Sequence, residues 1–173
     1  MTSFSELARQ RFSQRAYDPS RPIPKQLLEE ILETAHFAPS AANKQPWEIV
    51  VIQTPDMLDR IHAAYTRDWF LAAPCVIALK GKTSQAWVRA YDGFNALETD
   101  LAILMDHLTL AAADLGLGTC WIAHFEPTVL AEALSLTSDE RVVAISPLGW
   151  APSDFKPPTQ KTRKPLSEIV KYL

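Results

Sequence analysis

The chain has 173 residues, and 17 Lys and Arg against 20 Asp and Glu give a formal charge of −3. With 47% hydrophobic and 21% charged residues, it reads as a packed soluble domain able to bury roughly 70% of its unfolded surface. That composition excludes a disordered chain, a collagen and a disulfide scaffold, and a pI of 5.8 argues against a nucleic-acid partner.

The first strong helical spacing is Leu27, Leu28, Ile31, Leu32 and Ala35 after Pro24, a proline suited to a first helical turn. Trp47–Gln53 is rich in β-branched residues and predicts a strand. Thr54-Pro55 reads as an N-cap with proline at the first helical position, opening a helix that carries Leu58, Ile61 and Tyr65. Pro74–Lys80 predicts a second, buried strand. The longest helix is expected over Ala96–Leu115, from Leu97, Leu101, Leu104, Leu108, Ala111 and Leu115, with Gly116 as its left-handed terminus. A strand over Thr119–Ala123, a short helix over Pro127–Leu134 and a strand over Arg141–Leu148 follow. The tail from Ala151 is basic and Pro-rich, with Pro157-Pro158 barring regular structure. It is expected to end in a strand or an extended arm that packs on a partner subunit. No linker or repeat divides the chain, so a single α+β domain over residues 1–173 is expected.

Familiar catalytic patterns are missing. Gly116-Leu117-Gly118 lacks the third Gly of a dinucleotide fingerprint, and the sequence has no phosphate loop, nucleophile elbow or H-E-x-x-H. His36, His62, His107 and His124 have no metal-ligand spacing, and Asp100 with His107 reads as a structural pair on one helix face. Cys75 and Cys120 fit a reducing cytosol, with Cys120 as a packing residue. The stretch Ala96–Ala113 carries too many charges for a membrane span. The N-terminus lacks a signal-peptide layout, so a cytoplasmic protein with no membrane partner is expected.

Three polar clusters remain. Arg11, Ser13 and Arg15 alternate, so an extended segment projects them from one side, either as a phosphate grip or as a solvated basic face. The segment Ala38-Pro39-Ser40-Ala41-Ala42-Asn43-Lys44-Gln45-Pro46-Trp47, stiffened by its prolines, offers small residues and amides able to hydrogen-bond a flat heterocycle. Lys161-Thr162-Arg163-Lys164 is a basic tail that could complete a phosphate clamp with Arg11 and Arg15.

The ordered set R-x-S-x-R, A-P-S-x-x-N-x-Q-P-W, G-L-G-T-x-W-I and K-x-R, running from Arg11 to Val170, resembles the FMN-dependent nitroreductase family. That resemblance implies a central mixed or antiparallel sheet flanked by helices, in an intertwined homodimer with exchanged C-terminal arms and two FMN at the interface. It also implies that Arg11, Ser13 and Arg15 hold the FMN phosphate, ribityl chain and pyrimidine edge, with Lys161 and Arg163 at the phosphate. Pro39, Ser40, Ala41, Asn43 and Gln45 would come from the opposite subunit. Trp121, Ile122, Ala123 and His124 would lie along the ring, with a backbone N–H aimed at its N5. The sequence departs from the family pattern at Phe12, at Ala123-His124 where Gly is frequent, and at Thr66–Trp69, which lacks an Asn used by some members.

The implied activity is NAD(P)H-driven reduction of small planar acceptors, such as nitroaromatics, quinones or activated alkenes, by a ping-pong mechanism. No side-chain acid–base pair is then needed, because the cofactor carries the hydride chemistry. An FMN-binding protein of the same fold without turnover, serving as a sensor or flavin store, is the alternative; a plain structural dimer is a third. Trp87, Tyr91 and Phe94 either form a lid that stacks on the acceptor or pad the dimer core. His124 either contacts the ring or caps the following helix.

Overall fold

Residues 75–79 of the second strand are fully buried on both faces, so this strand must lie at the centre of a covered sheet. In the computed structural model, which describes residues 3–173, that strand is β2 (Cys75–Lys82). It sits between β1 (Trp47–Ile52) and β4 (Glu140–Gly149). A short β3 (Gly118–Thr119) completes an antiparallel sheet in the order β1-β2-β4-β3. Ser13 adds an isolated parallel bridge to Thr119, so the N-terminal segment borders the β3 edge.

The alternation of β2 distributes two cores. Cys75, Ile77 and Leu79 join Leu28, Ile31, Leu101, Leu104 and Leu108 on the face covered by α2 (Lys25–Ala35) and α5 (Leu97–Asp114). Val76 and Ala78 join Ile61, Phe70, Leu130 and Ile145 on the other face. That side carries α3 (Pro55–His62), α4 (Asp68–Leu71) and α6 (Pro127–Ala133). Each fully buried Leu or Ile contributes about 1.5–3 kcal/mol relative to exposure, and this pattern fixes the register of the sheet. Burial also pushes the Cys75 thiol up to about 12, leaving it a packing residue.

Several boundaries differ from expectation for identifiable reasons. The helix expected to carry Tyr65 ends at His62. Thr54 is its N-cap and Pro55 its first residue, but the Thr54 side chain makes no capping bond. The strand expected over Thr119–Ala123 pairs regularly only at Gly118–Thr119. There the Cys120 N–H turns to the Ser146 hydroxyl, and pairing resumes at Ile122 opposite Ile145. Asp100 and His107 do not pair: Asp100 accepts from the Ala41 N–H, and His107 Nδ1 meets the Ile103 carbonyl, 3.0 Å away.

Besides the short α4, two further α-helices lie outside the expected elements. The first is α1 (Phe4–Gln10), opened by a reciprocal capping box between Ser3 and Glu6. The other is a single turn, α7 (Leu166–Ile169), in a tail expected to be extended. Gly116 terminates the longest helix region with φ +77°, as its position predicts. Among the described residues, no helix is long and apolar enough to cross a membrane.

Candidate functional site

Arg11 closes α1: its N–H donates to the Leu7 carbonyl, and the chain then extends. The Ser13–Thr119 bridge and the Gln14 N–H donating to the Thr119 carbonyl at 2.8 Å hold this segment against β3. Gly118 makes that approach possible, because a Cβ there would overlap the buried Gln14 side chain. Gln14 therefore faces inward, while Ser13 and Arg15 are exposed and Arg11 is half-buried. Ser13 and Arg15 thus project away from Gln14, as their alternation predicts, whereas Arg11 and Phe12 are both half-buried.

The C-terminal tail returns to the same place. Phe155 stacks on Phe12 with centroids 5.8 Å apart, and Lys161 Nζ donates to the Ala8 carbonyl at 3.1 Å. Partial burial, together with the Arg11 and Arg163 guanidiniums, holds the Lys161 ammonium below the ordinary lysine value. Arg11, Lys161 and Arg163 thus feel one another although they come from opposite ends of the chain. None of these three, nor Arg15, forms an ion pair among the described residues. In a chain of charge −3, this is a concentrated and uncompensated positive site.

The strip Trp121–His124 leaves the sheet beside this cluster. Ile122 is buried, whereas Trp121, Ala123 and His124 are exposed. Cys120 lies just beneath: burial raises its thiol pKa, opposed by the nearby Arg15, Ser13 and Arg11 side chains. All three residues of the N-terminal motif therefore approach one point at the sheet edge. Arg15 also lies 6.0 Å from the Trp69 ring centroid, and Trp69 in turn packs on Tyr17 and Tyr65. His124 lines a groove of about 340 Å³ with Thr66 and Arg67. It does not cap α6; that position belongs to Glu126, which accepts from the Thr128 N–H. The reason is reach, since the N-cap side chain must lie two or three residues from the amides it satisfies.

The loop from Pro39 to Gln45 lies elsewhere. It precedes β1, at the sheet edge opposite β3, and touches the N-terminal end of α5 through Ala41 and Asp100. The cationic cluster lies beyond the other end of α5, whose 18 residues span about 27 Å. Within one chain, the two halves of the expected site are therefore not brought together. Pro39, Asn43 and Gln45 are exposed, while Ser40 and Ala41 are half-buried.

The segment carrying Trp87, Tyr91 and Phe94 forms a closed excursion. A Val88–Asn95 bridge, an Arg89–Asp92 ion pair and Arg89 over the Phe94 ring brace it. Trp87 is half-buried, and Tyr91 at the tip is 97% exposed.

A sequence model of the nitroreductase family matches residues 8–65 and 58–150. The chain belongs to the nitroreductase family. Among relatives with curated names, a "NADH dehydrogenase" of Thermus thermophilus is 30% identical over 179 residues, covering 86% of each chain. An "oxygen-insensitive NADPH nitroreductase" of Helicobacter acinonychis is 23% identical, covering 97% of this chain and 95% of the other. Among solved structures, a nitroreductase family protein from Clostridium difficile superposes with a TM-score of 0.91 at 34% identity, covering 99% and 98% of the two chains. A protein from Exiguobacterium sibiricum, solved in complex with FMN, has the same fold, with a TM-score of 0.86 at 23% identity and coverage of 100% and 98%. The family model ends before the tail, whereas these two superpositions cover nearly the whole chain.

Proposed function

We propose that this nitroreductase family member is an FMN-dependent oxidoreductase that uses NAD(P)H to reduce small planar acceptors such as nitroaromatics, quinones or activated alkenes. The observation that carries this reading is the set of Arg11, Arg15, Lys161 and Arg163 beside Ser13, with no ion-pair partner among the described residues. A dianionic phosphate fits that set, because it accepts several charge-assisted hydrogen bonds at once. Arg11, Lys161 and Arg163 hold the phosphate, Ser13 the ribityl chain, and Arg15 the pyrimidine edge, where its positive charge favours the electron-rich state. Trp121, Ile122, Ala123 and His124 border the ring. FMN, when bound, supplies the hydride relay between nicotinamide and acceptor.

The separation of the Pro39–Gln45 loop from the cationic cluster supports a homodimer. A second protomer supplies Pro39, Ser40, Ala41, Asn43 and Gln45 to each site, so that two sites form at one seam. The exposed apolar side chains of the tail, Leu166, Ile169, Tyr172 and Leu173, suit an arm laid across that second protomer. Tyr91 and Phe94 stack on the acceptor, with half-buried Trp87 anchoring their excursion. A hydride together with a solvent proton converts a quinone to its hydroquinone, so no protein acid–base pair is required. The protein acts in the cytoplasm, as one domain.

NAD(P)H and the acceptor use the same face in turn. Under anaerobic conditions NADH or NADPH is expected to bleach the flavin absorbance, and an added quinone or nitroaromatic to restore it. Initial rates against both substrates then give parallel double-reciprocal lines. Intersecting lines would contradict the shared face, and bound flavin that NAD(P)H fails to bleach would favour the sensor or storage reading.

A further inference from the structure

Asp100 is the only acidic side chain that is fully buried among the described residues, at 1% exposure. A buried carboxylate is unfavourable unless its environment compensates for lost hydration. Asp100 lies in the first turn of α5. Among the described residues its side chain accepts one hydrogen bond, from the Ala41 N–H, 2.9 Å from Oδ1, while Oδ2 has no partner. The helix itself does not require this residue, since Leu101, Leu104, Met105 and Leu108 secure α5 to the core.

The loop that Asp100 touches is strained. Ala42, Asn43 and Gln45 adopt φ values of 49°, 53° and 45°, a left-handed backbone that Asn tolerates but Ala and Gln disfavour. Internal bonds shape it: the Gln45 N–H donates to Ser40 Oγ at 2.9 Å, and Gln45 Nε2 donates to Asn43 Oδ1 at 3.1 Å. The Pro46 carbonyl accepts from the Lys82 N–H at 3.0 Å and fixes its far end to β2. Among the described residues, the Ala41–Asp100 bond ties the start of the left-handed run to the protein body.

We propose that Asp100 is a positioning residue, whose buried oxygen holds the Ser40–Gln45 loop in its strained form and so presets the groups it presents to the cofactor. This rests on the reading that the loop faces FMN across the dimer seam.

The test compares Asp100→Ala and Asp100→Asn with the wild-type protein. Three quantities are read: amide hydrogen exchange of the loop without flavin, FMN affinity by fluorescence titration, and the melting temperature. In Asp100→Ala, exchange at Ala41 and Gln45 is expected to rise about tenfold or more while the α5 amides stay protected. FMN affinity should fall by about tenfold, and the melting temperature should hold or rise because a buried carboxyl with an unpartnered oxygen has gone. Asp100→Asn keeps a carbonyl acceptor for the Ala41 N–H, so exchange and affinity should return to within about threefold of wild type. Unchanged loop exchange in Asp100→Ala would overturn the proposal. So would equal losses of melting temperature and α5 protection in both variants, the signature of a merely structural residue. A wild-type protein that binds no FMN would instead defeat the functional reading, and the exchange comparison would still decide the role of Asp100.

Discussion

Replacing Arg11 by alanine is expected to weaken FMN binding by about 1.5–3 kcal/mol, the scale of a hydrogen bond to a charged group, or roughly ten- to a hundredfold in dissociation constant. The backbone at this position is held independently of the side chain, through the Arg11 N–H on the Leu7 carbonyl, so the variant should fold. Removing one of three crowded cations also relieves repulsion on Lys161, whose ammonium Arg11 helps to hold below its ordinary value. The flavin-free protein should therefore be no less stable than wild type. Lys25→Ala removes an equal charge from an exposed i,i+4 pair with Glu29, and serves as the control with no effect on FMN. Fluorescence titration of both variants reads the difference. An Arg11→Ala variant that binds FMN as tightly as wild type would remove this residue from the phosphate site.

Phe70→Ala should carry the largest effect on stability, about 3–5 kcal/mol, a large part of the total for a domain of this size. Phe70 is fully buried and meets His62, Tyr65 and Trp69 at centroid distances of 5.6, 5.2 and 6.3 Å. Deleting the ring leaves a cavity that these neighbours fill only in part. Trp69 also lies beside Arg15 and Tyr17, so the loss spreads toward the cationic site and should loosen FMN as well. Urea denaturation is expected to show a lower midpoint with an unchanged slope. A loss below about 1 kcal/mol would show that the cluster does not act as a packed unit.

Much of this arrangement was legible in the residues. The apolar run of β2 and the Leu spacing of α5 identified the two elements that meet at the centre of the core, because burial on both sides leaves a pattern that polar positions do not interrupt. The alternation of Ser13 and Arg15 about Gln14 likewise predicted the exposed side that those two share. By contrast, α1 was missed although Ser3 and Glu6 form its capping box; it buries no residue, and its apolar spacing is correspondingly faint. Asp100 and His107 were misread because helical spacing only shows which side chains share a face. Both satisfy their polar atoms on backbone groups instead.

Two features of the site were beyond local reading. Lys161 reaches Ala8 across 153 residues of sequence, a closure that no spacing rule supplies; the residues offered it only as one reading of a basic tail, and the resemblance to the family favoured it. The left-handed Ala42 and Gln45 run against their own preferences, and tertiary contacts impose that conformation. The length of α5 then explains why a single chain leaves the loop and the cations apart.

The most direct test of the cationic cluster compares FMN with riboflavin, which lacks only the phosphate, in parallel titrations of the flavin-free protein. The expected result is one FMN per chain, bound more tightly than riboflavin by about a hundredfold or more, with the advantage shrinking as salt is raised. Equal affinity for the two flavins, or no binding of either, would contradict the assignment of Arg11, Lys161 and Arg163 to a phosphate.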